Sequence, residues 1–374
     1  MEPTSRRAFV SAMAAAVGGL SGCLGGATPQ PPSDRDEGES AQPATTTGER
    51  MGGVPVRSTA LPVEYELGAL RDEVLSGGPP KDGIPSIDEP TFWGVDRADR
   101  ELRDRDVVFG LVRNGEVKAY PQRILVHHEI VNDVVGEQPV AVTYCPLTGT
   151  AMGFRRGETT FGVSGELLNN NLVMYDRATD SRWPQVLATA ISGEFEGKSL
   201  QEFRLVWTTW RKWRTAHPET RVLSTDTDAL RDYGNDPYGS YVPDPAGYYS
   251  RDATLFPPLG RDDRLPNKAV VVGVRTGDGR LAVEKSALRE AGLLSGSAGS
   301  DDESTHLAVY DPTLDTAYVY RNPDDAAFDY RDGRAVAADG TSHVPADLPL
   351  DRVYAFDAMW LAWAGFYPST GLVT

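Results

Sequence analysis

The chain has 374 residues and a formal charge of −17, set by 37 basic against 54 acidic side chains, with only six lysines among the cations. A surface this acidic repels polyanions and excludes nucleic-acid binding, and its shortage of lysine points to a halophilic source, where salt screens the self-repulsion.

Ser5–Phe9, SRRAF, reads as a twin-arginine export signal, and the apolar stretch from Val10 to Leu20 that follows is too short to span a bilayer. It ends in Leu20–Cys23, LSGC, the small-residue pattern of a lipobox, whose cysteine becomes the lipid-bearing first residue of the mature protein. Residues 1–22 are therefore expected to be a signal peptide that engages the twin-arginine translocase. Lipid on Cys23 would then hold the protein at the outer face of the cytoplasmic membrane. Cys145 is left without a disulfide partner, so stability must come from packing or a metal.

Residues 23–60 read as a disordered, lipid-anchored tether. Leu24 to Gly53 is rich in Gly, Pro, Ser, Thr and acid and holds no aromatic residue, so it cannot bury enough surface to fold. Its r.m.s. reach is on the order of 30 Å.

The rest divides into two tandem related β-rich units, 61–250 and 251–374, the second degenerate, giving a mainly β (α+β) fold with a Trp-containing helix in each unit. In the first, VVFGLVRNGEVKAYP (Val107–Pro121) alternates around an Asn-Gly hairpin turn, and AMGFRRGETTFGVSG (Ala151–Gly165) alternates around Arg-Gly-Glu. Between them lies HHEIVNDVVGEQPVAVTYC, His127–Cys145. With Gly136-Glu137 as a two-residue turn, opposed residues sum to 273, which sets His128 against Cys145 on a face shared with Ile130, Asn132, Ala141 and Thr143.

A histidine and a thiol on one face suit a copper or zinc ion, with Met152, Glu129 and His217 as further candidate ligands. On an ideal strand Glu129 points away from His128. The same pair suits a nucleophilic thiol activated by His128, with Asn132 or Asp133 orienting the ring. The plain alternative is a buried structural cysteine. Leu172–Gln185, LVMYDRATDSRWPQ, reads as a second hairpin turn carrying ion pairs, from which Arg177 and Trp183 could line a pocket beside Cys145.

WRKWRTAHPET (Trp210–Thr220) and WLAWAGFYPST (Trp360–Thr370) share tryptophans three apart, then Pro and Thr at the same spacing. Upstream, Gly110/Gly273, Ala119/Ala282 and Leu125/Leu288 are all offset by 163, the mark of an internal duplication. On these offsets His128 maps to Ala291 and His217 to Tyr367, and the second unit has no cysteine, which confines any chemistry to the first.

AYPQRILVHHEIVND, VAVTYCPLTGTAMGF, FGVSGELLNNNLVMYDRATDSRW and WRKWRTAHPET, in this order, resemble the family called domain of unknown function 3179, closely from Ile84 to Tyr238 and again at the C-terminal WLAWAGFYPST. The resemblance implies no established activity. It implies that His128 is the family histidine before EIVND. It also implies a Cys-Pro-Leu-Cys turn, from which this chain departs at Thr148, excluding a dithiol role. The functional readings are thus an exported lipoprotein binding a metal through His128 and Cys145, a thiol-dependent enzyme with a Cys-His pair, or a non-catalytic cell-surface binding or assembly module.

Overall fold

The computed structural model describes residues 50–51, 53–240, 245–277, 279–299 and 305–374. The expected signal peptide, Cys23 and the tether up to residue 49 lie outside the described residues. The end of the tether does not: Val54 and Val56 are buried, and the Arg57 N–H donates to the Ser199 carbonyl, so the packed domain begins earlier than residue 61. Two β-branched residues spaced for one strand face made that possible.

Strands dominate, as alternation and turn residues require. β1 (Val107–Arg113) and β2 (Glu116–Pro121) form a hairpin around Asn114-Gly115, both left-handed, the conformation a two-residue turn demands. After the short helix α1 (Gln122–Leu125), β3 (Ile130–Val135), β4 (Gln138–Cys145) and β5 (Thr150–Arg155) form a meander. Both faces of this sheet are covered. Ile130, Ala141, Cys145, Met152 and Phe154 enter one core, while Val131, Val140, Val142, Tyr144 and Ala151 enter another.

β5 does not pair with the next strand, β6 (Phe161–Leu168), contrary to the hairpin expected around Arg-Gly-Glu. Residues 156–160 instead carry the chain to another sheet, with the Arg156 N–H on the Pro139 carbonyl, and β6 pairs with β7 (Asn171–Asp176) and β7 with β8 (Arg182–Pro184). Alternation shows that each segment is a strand but not which neighbour it takes.

β9 (Val206–Thr209) returns beside β1 and leads into α2 (Trp210–Ala216), after which β10 (Arg221–Leu223) lies parallel to β2. The C-terminal part has the same order. β11 (Val270–Thr276) and β12 (Gly279–Glu284) form a hairpin, and α3 (Lys285–Ala291) follows. β13 (Leu293–Ser297), β14 (Thr305–Asp311) and β15 (Thr316–Arg321) form a meander. β16 (Ala355–Met359) then pairs β11, α4 (Trp360–Phe366) follows, and β17 (Gly371–Val373) lies parallel to β12.

The two helices dock alike. The Trp213 ring lies where a Cβ on Gly110 would be, and Trp363 does the same at Gly273. Trp213 Nε1 donates to Thr220 Oγ1 and Trp363 Nε1 to Thr370 Oγ1, both at 2.9 Å. A buried indole needs both an aromatic-sized slot and an acceptor, which is why Gly, Trp and Thr recur together. Among the described residues no helix is long and apolar enough to cross a membrane.

Candidate functional site

The β3–β4 ladder runs from Val135–Gln138 to Ile130–Thr143, so the register sums to 273, and it stops two residues short of the His128–Cys145 pair. The break is local. α1 must feed β3, so the His128 and Glu129 N–H groups both close on the Leu125 carbonyl, and Glu129 adopts a left-handed φ of 59°. The chain thus leaves the strand path before His128. Glu129 keeps one tie to β4: its carbonyl accepts the Tyr144 N–H at 2.8 Å.

His128 is buried and faces other partners. Nδ1 lies 2.7 Å from the Pro85 carbonyl, which can only accept, so Nδ1 carries the proton. Nε2 then accepts from the Tyr233 hydroxyl at 2.6 Å, and that hydroxyl is 2.7 Å from Thr227 Oγ1. Burial holds the His128 pKa below its ordinary value, consistent with a neutral ring. With both nitrogens engaged, His128 is a positioned core residue. Among the described residues, no group of three or more His, Cys, Asp and Glu is placed to hold a metal ion.

Cys145 is 1 % exposed and ends β4. Its thiol lies 3.6 Å from the Asn170 carbonyl and accepts the Leu172 N–H at 3.4 Å. Burial, then the charge of Glu129, pushes the thiol up to about 11, while hydrogen bonds from Thr148 and Leu172 pull the other way. Glu129 is the group that sequence reasoning set aside. Its residue is 7 % exposed, burial alone lifts its carboxyl to about 8, and that carboxyl has no hydrogen-bond partner among the described residues.

The long connection between β10 and β11, described at 224–240 and 245–269, covers this corner. Tyr248 Oη donates to the Leu147 carbonyl at 2.8 Å, and the Tyr238, Tyr248 and Tyr249 rings pack edge to face or tilted. Burial raises both Tyr238 and Tyr248, with Glu129 and Cys145 adding to the first and Cys145 to the second. Asp236 accepts from Gln122 of α1, and Asn170 bonds both the N–H and the carbonyl of Phe256.

The turn after Cys145 has two relatives in the fold. Tyr144-Cys145-Pro146 to Thr150 matches Tyr310-Asp311-Pro312 to Thr316, and Tyr175-Asp176 to Ser181 has the same length. Cys145 pairs Thr150 as Asp311 pairs Thr316, and Gly149, Asp180 and Asp315 are all left-handed. In the sister turns the aspartate caps backbone N–H groups: Asp176 Oδ1 accepts from Thr179 at 2.7 Å and Asp311 Oδ1 from Thr313 at 2.8 Å. Cys145 occupies the seat of an anion. An offset of 166, with Tyr, Pro and Thr in step, was the signal that could have shown it.

A family model described as a protein of unknown function, DUF3179, matches residues 81–370. The chain belongs to the DUF3179 family. No curated protein and no solved structure matches it. The DUF3179 span reaches well past Tyr238, through β11 to α4, so the C-terminal frame is part of the family's own extent.

The other expected pocket residues of this DUF3179 chain are spread apart. Met152 shares the Cys145 core and is fully buried. Asn132 bonds the N–H and carbonyl of Phe161, fastening β3 to β6. Arg177 pairs with Asp82 and Asp88, among solvated partners. Trp183 is buried, with Nε1 on Asp176 Oδ2. His217 caps α2 against the Trp213 ring, 4.2 Å between centroids.

Proposed function

We propose that this DUF3179 protein is an exported lipoprotein, held at the outer face of the cytoplasmic membrane through Cys23, whose chemistry is that of the Cys145 thiol. The leader and lipobox motifs of residues 5–23 support the address. A Cys23→Ser variant is expected to lose lipid mass and to leave the membrane fraction.

The observation that carries the thiol reading is the exchange of an acid for a sulfur in a turn built three times. Asp176 and Asp311 accept N–H groups in their turns, and Cys145 holds the equivalent seat with the Leu172 N–H on its sulfur. Such a seat accommodates a thiolate once formed, while the closed site keeps the thiol protonated. A copper or zinc ion is not part of this reading, because His128 would have to give up Pro85 and Tyr233 to bind one.

The test is mass measurement of folded protein treated with iodoacetamide. One adduct at Cys145, absent from Cys145→Ser, is the expected result; an adduct seen only after unfolding contradicts the reading. The shared strand order, Trp–Gly contacts and turn of the two frames support their origin by duplication, with reactive side chains kept in the first.

A further inference from the structure

We propose that the groove beside the turn after α2 binds a carboxylate, presented as the acidic side chain of a peptide segment. The site is independent of the thiol reading and shares no residue with the surroundings of Cys145.

The observation that carries it is a carboxylate already held at the sister turn. α2 and α4 end alike: His217 has φ −133° and ψ 73°, and Tyr367 has φ −129° and ψ 69°. Their carbonyls accept the N–H groups of Thr220 and Thr370 at 3.2 and 3.1 Å. Matched backbone aims the N–H two residues past each of them, on Glu219 and on Ser369, the same way from its helix. At the second turn the Ser369 N–H donates to Glu64 Oε2 at 3.0 Å, and Glu64 Oε1 lies 3.7 Å from Arg280 Nε. Glu64 arrives there on Leu61–Glu66, a segment that is neither helix nor strand. That segment is fixed by the Pro62 carbonyl, which accepts from Arg280, and by the Tyr65 hydroxyl, which donates to the Gly365 carbonyl of α4 at 2.7 Å.

At the first turn the corresponding space is open. No group among the described residues accepts the Glu219 N–H, and a groove of about 450 Å³ lies against Pro218–Arg221. The helix Val95–Glu101 walls its other side with Arg97 and Arg100, and Arg221 joins them from β10. Arg97 is paired with Glu101 at 2.6 Å and Arg221 donates to the Phe92 carbonyl at 3.0 Å. The Arg100 guanidinium has no hydrogen bond or ion pair among the described residues. Asp96 and Glu219 also line the groove, so the three guanidiniums leave a local excess of positive charge on a chain of net charge −17. Such an excess attracts an acid, and guanidinium and backbone N–H donors together match the oxygens of a carboxylate.

A peptide is the occupant because the sister carboxylate comes from one. Thr215 of α2 stands at the position of Gly365 in α4, so its carbonyl offers a tyrosine after the acid the same acceptor.

The experiment titrates the full folded chain with the blocked peptide acetyl-Leu-Pro-Val-Glu-Tyr-amide, a copy of Leu61–Tyr65, and follows the Glu219 amide resonance by NMR. The expected result is a saturable shift at Glu219 that is absent when the peptide carries Gln in place of Glu. Arg100→Ala, at an exposed position, should weaken the affinity about tenfold without altering the fold. Acetate giving the same saturable shift at the same concentrations would overturn the peptide as occupant. A Gln peptide that binds equally well, an unmoved Glu219 resonance, or undiminished affinity in Arg100→Ala overturns the site. A shift confined to Ser369 would place the peptide at the second turn and overturn it as well.

Discussion

Glu129 places a pH-dependent load on the fold that can be measured without any substrate. Its carboxyl titrates at about 8 in the folded protein against 4.5 as the ordinary value, so the native state prefers it protonated. Its stabilisation is therefore complete below the unfolded pKa and is lost as pH rises through the folded one. The gap corresponds to roughly 5 kcal/mol. Denaturant unfolding at a series of pH values and fixed salt should show wild-type stability falling between about 4.5 and 8, with a flatter profile for Glu129→Gln. An equal slope in both would place the carboxyl in solvent. At this scale the sequence was legible up to a point. The turn at Gly136-Glu137 fixed the 273 register, but a register extrapolates only while the chain stays a strand. A left-handed Glu129, dictated by the exit from α1, diverted His128 to Pro85 and brought Glu129 itself to the thiol's electrostatic neighbourhood.

The elements that recur are held by a contact that single substitutions can break. An added Cβ would meet the Trp213 ring at 2.1 Å from Gly110 and the Trp363 ring at 2.2 Å from Gly273. Gly110→Ala and Gly273→Ala are each expected to cost about 3 kcal/mol, against the small effect of Gly→Ala in an open strand. Thr220→Val and Thr370→Val should each cost about 1–3 kcal/mol, because they strand a buried indole N–H. Equilibrium denaturation reads all four, and parallel losses at equivalent positions are the expected pattern. The Trp, Pro and Thr spacing made these helices readable in advance. The repeated turn was harder to see, because the offset drifts from 163 at the first hairpin to 166 at the turn and 150 at the helix as loops lengthen or shorten. Its most informative position, Cys145 against Asp311, is also a mismatch.

In the whole molecule the two frames are not separable. Cys145 and Trp183 share one core with Trp360 and Trp363. Asn169, at the β6–β7 turn, donates to the Leu361 and Ala362 carbonyls of α4, and buried Arg275 of β11 pairs with buried Glu202. A chain ended at residue 250 is therefore expected not to unfold cooperatively, measured by calorimetry, since it would lose about a third of the buried residues of that core and strip Glu202 of its cation. Local periodicity does not show such contacts, which is why the boundary at 250 fell inside the connection that covers Cys145. That connection also bears on whether the thiol is a site or an inert core cysteine.

The deciding measurement is the rate of Cys145 alkylation in folded protein as denaturant rises from zero. A site reached by displacing the tyrosine cover labels at a rate that hardly changes at low denaturant and climbs only within the unfolding transition, because local opening exposes little surface. A rate that climbs from zero denaturant with the full slope of global unfolding would show that Cys145 is reached only by unfolding, and would contradict its assignment as a functional thiol.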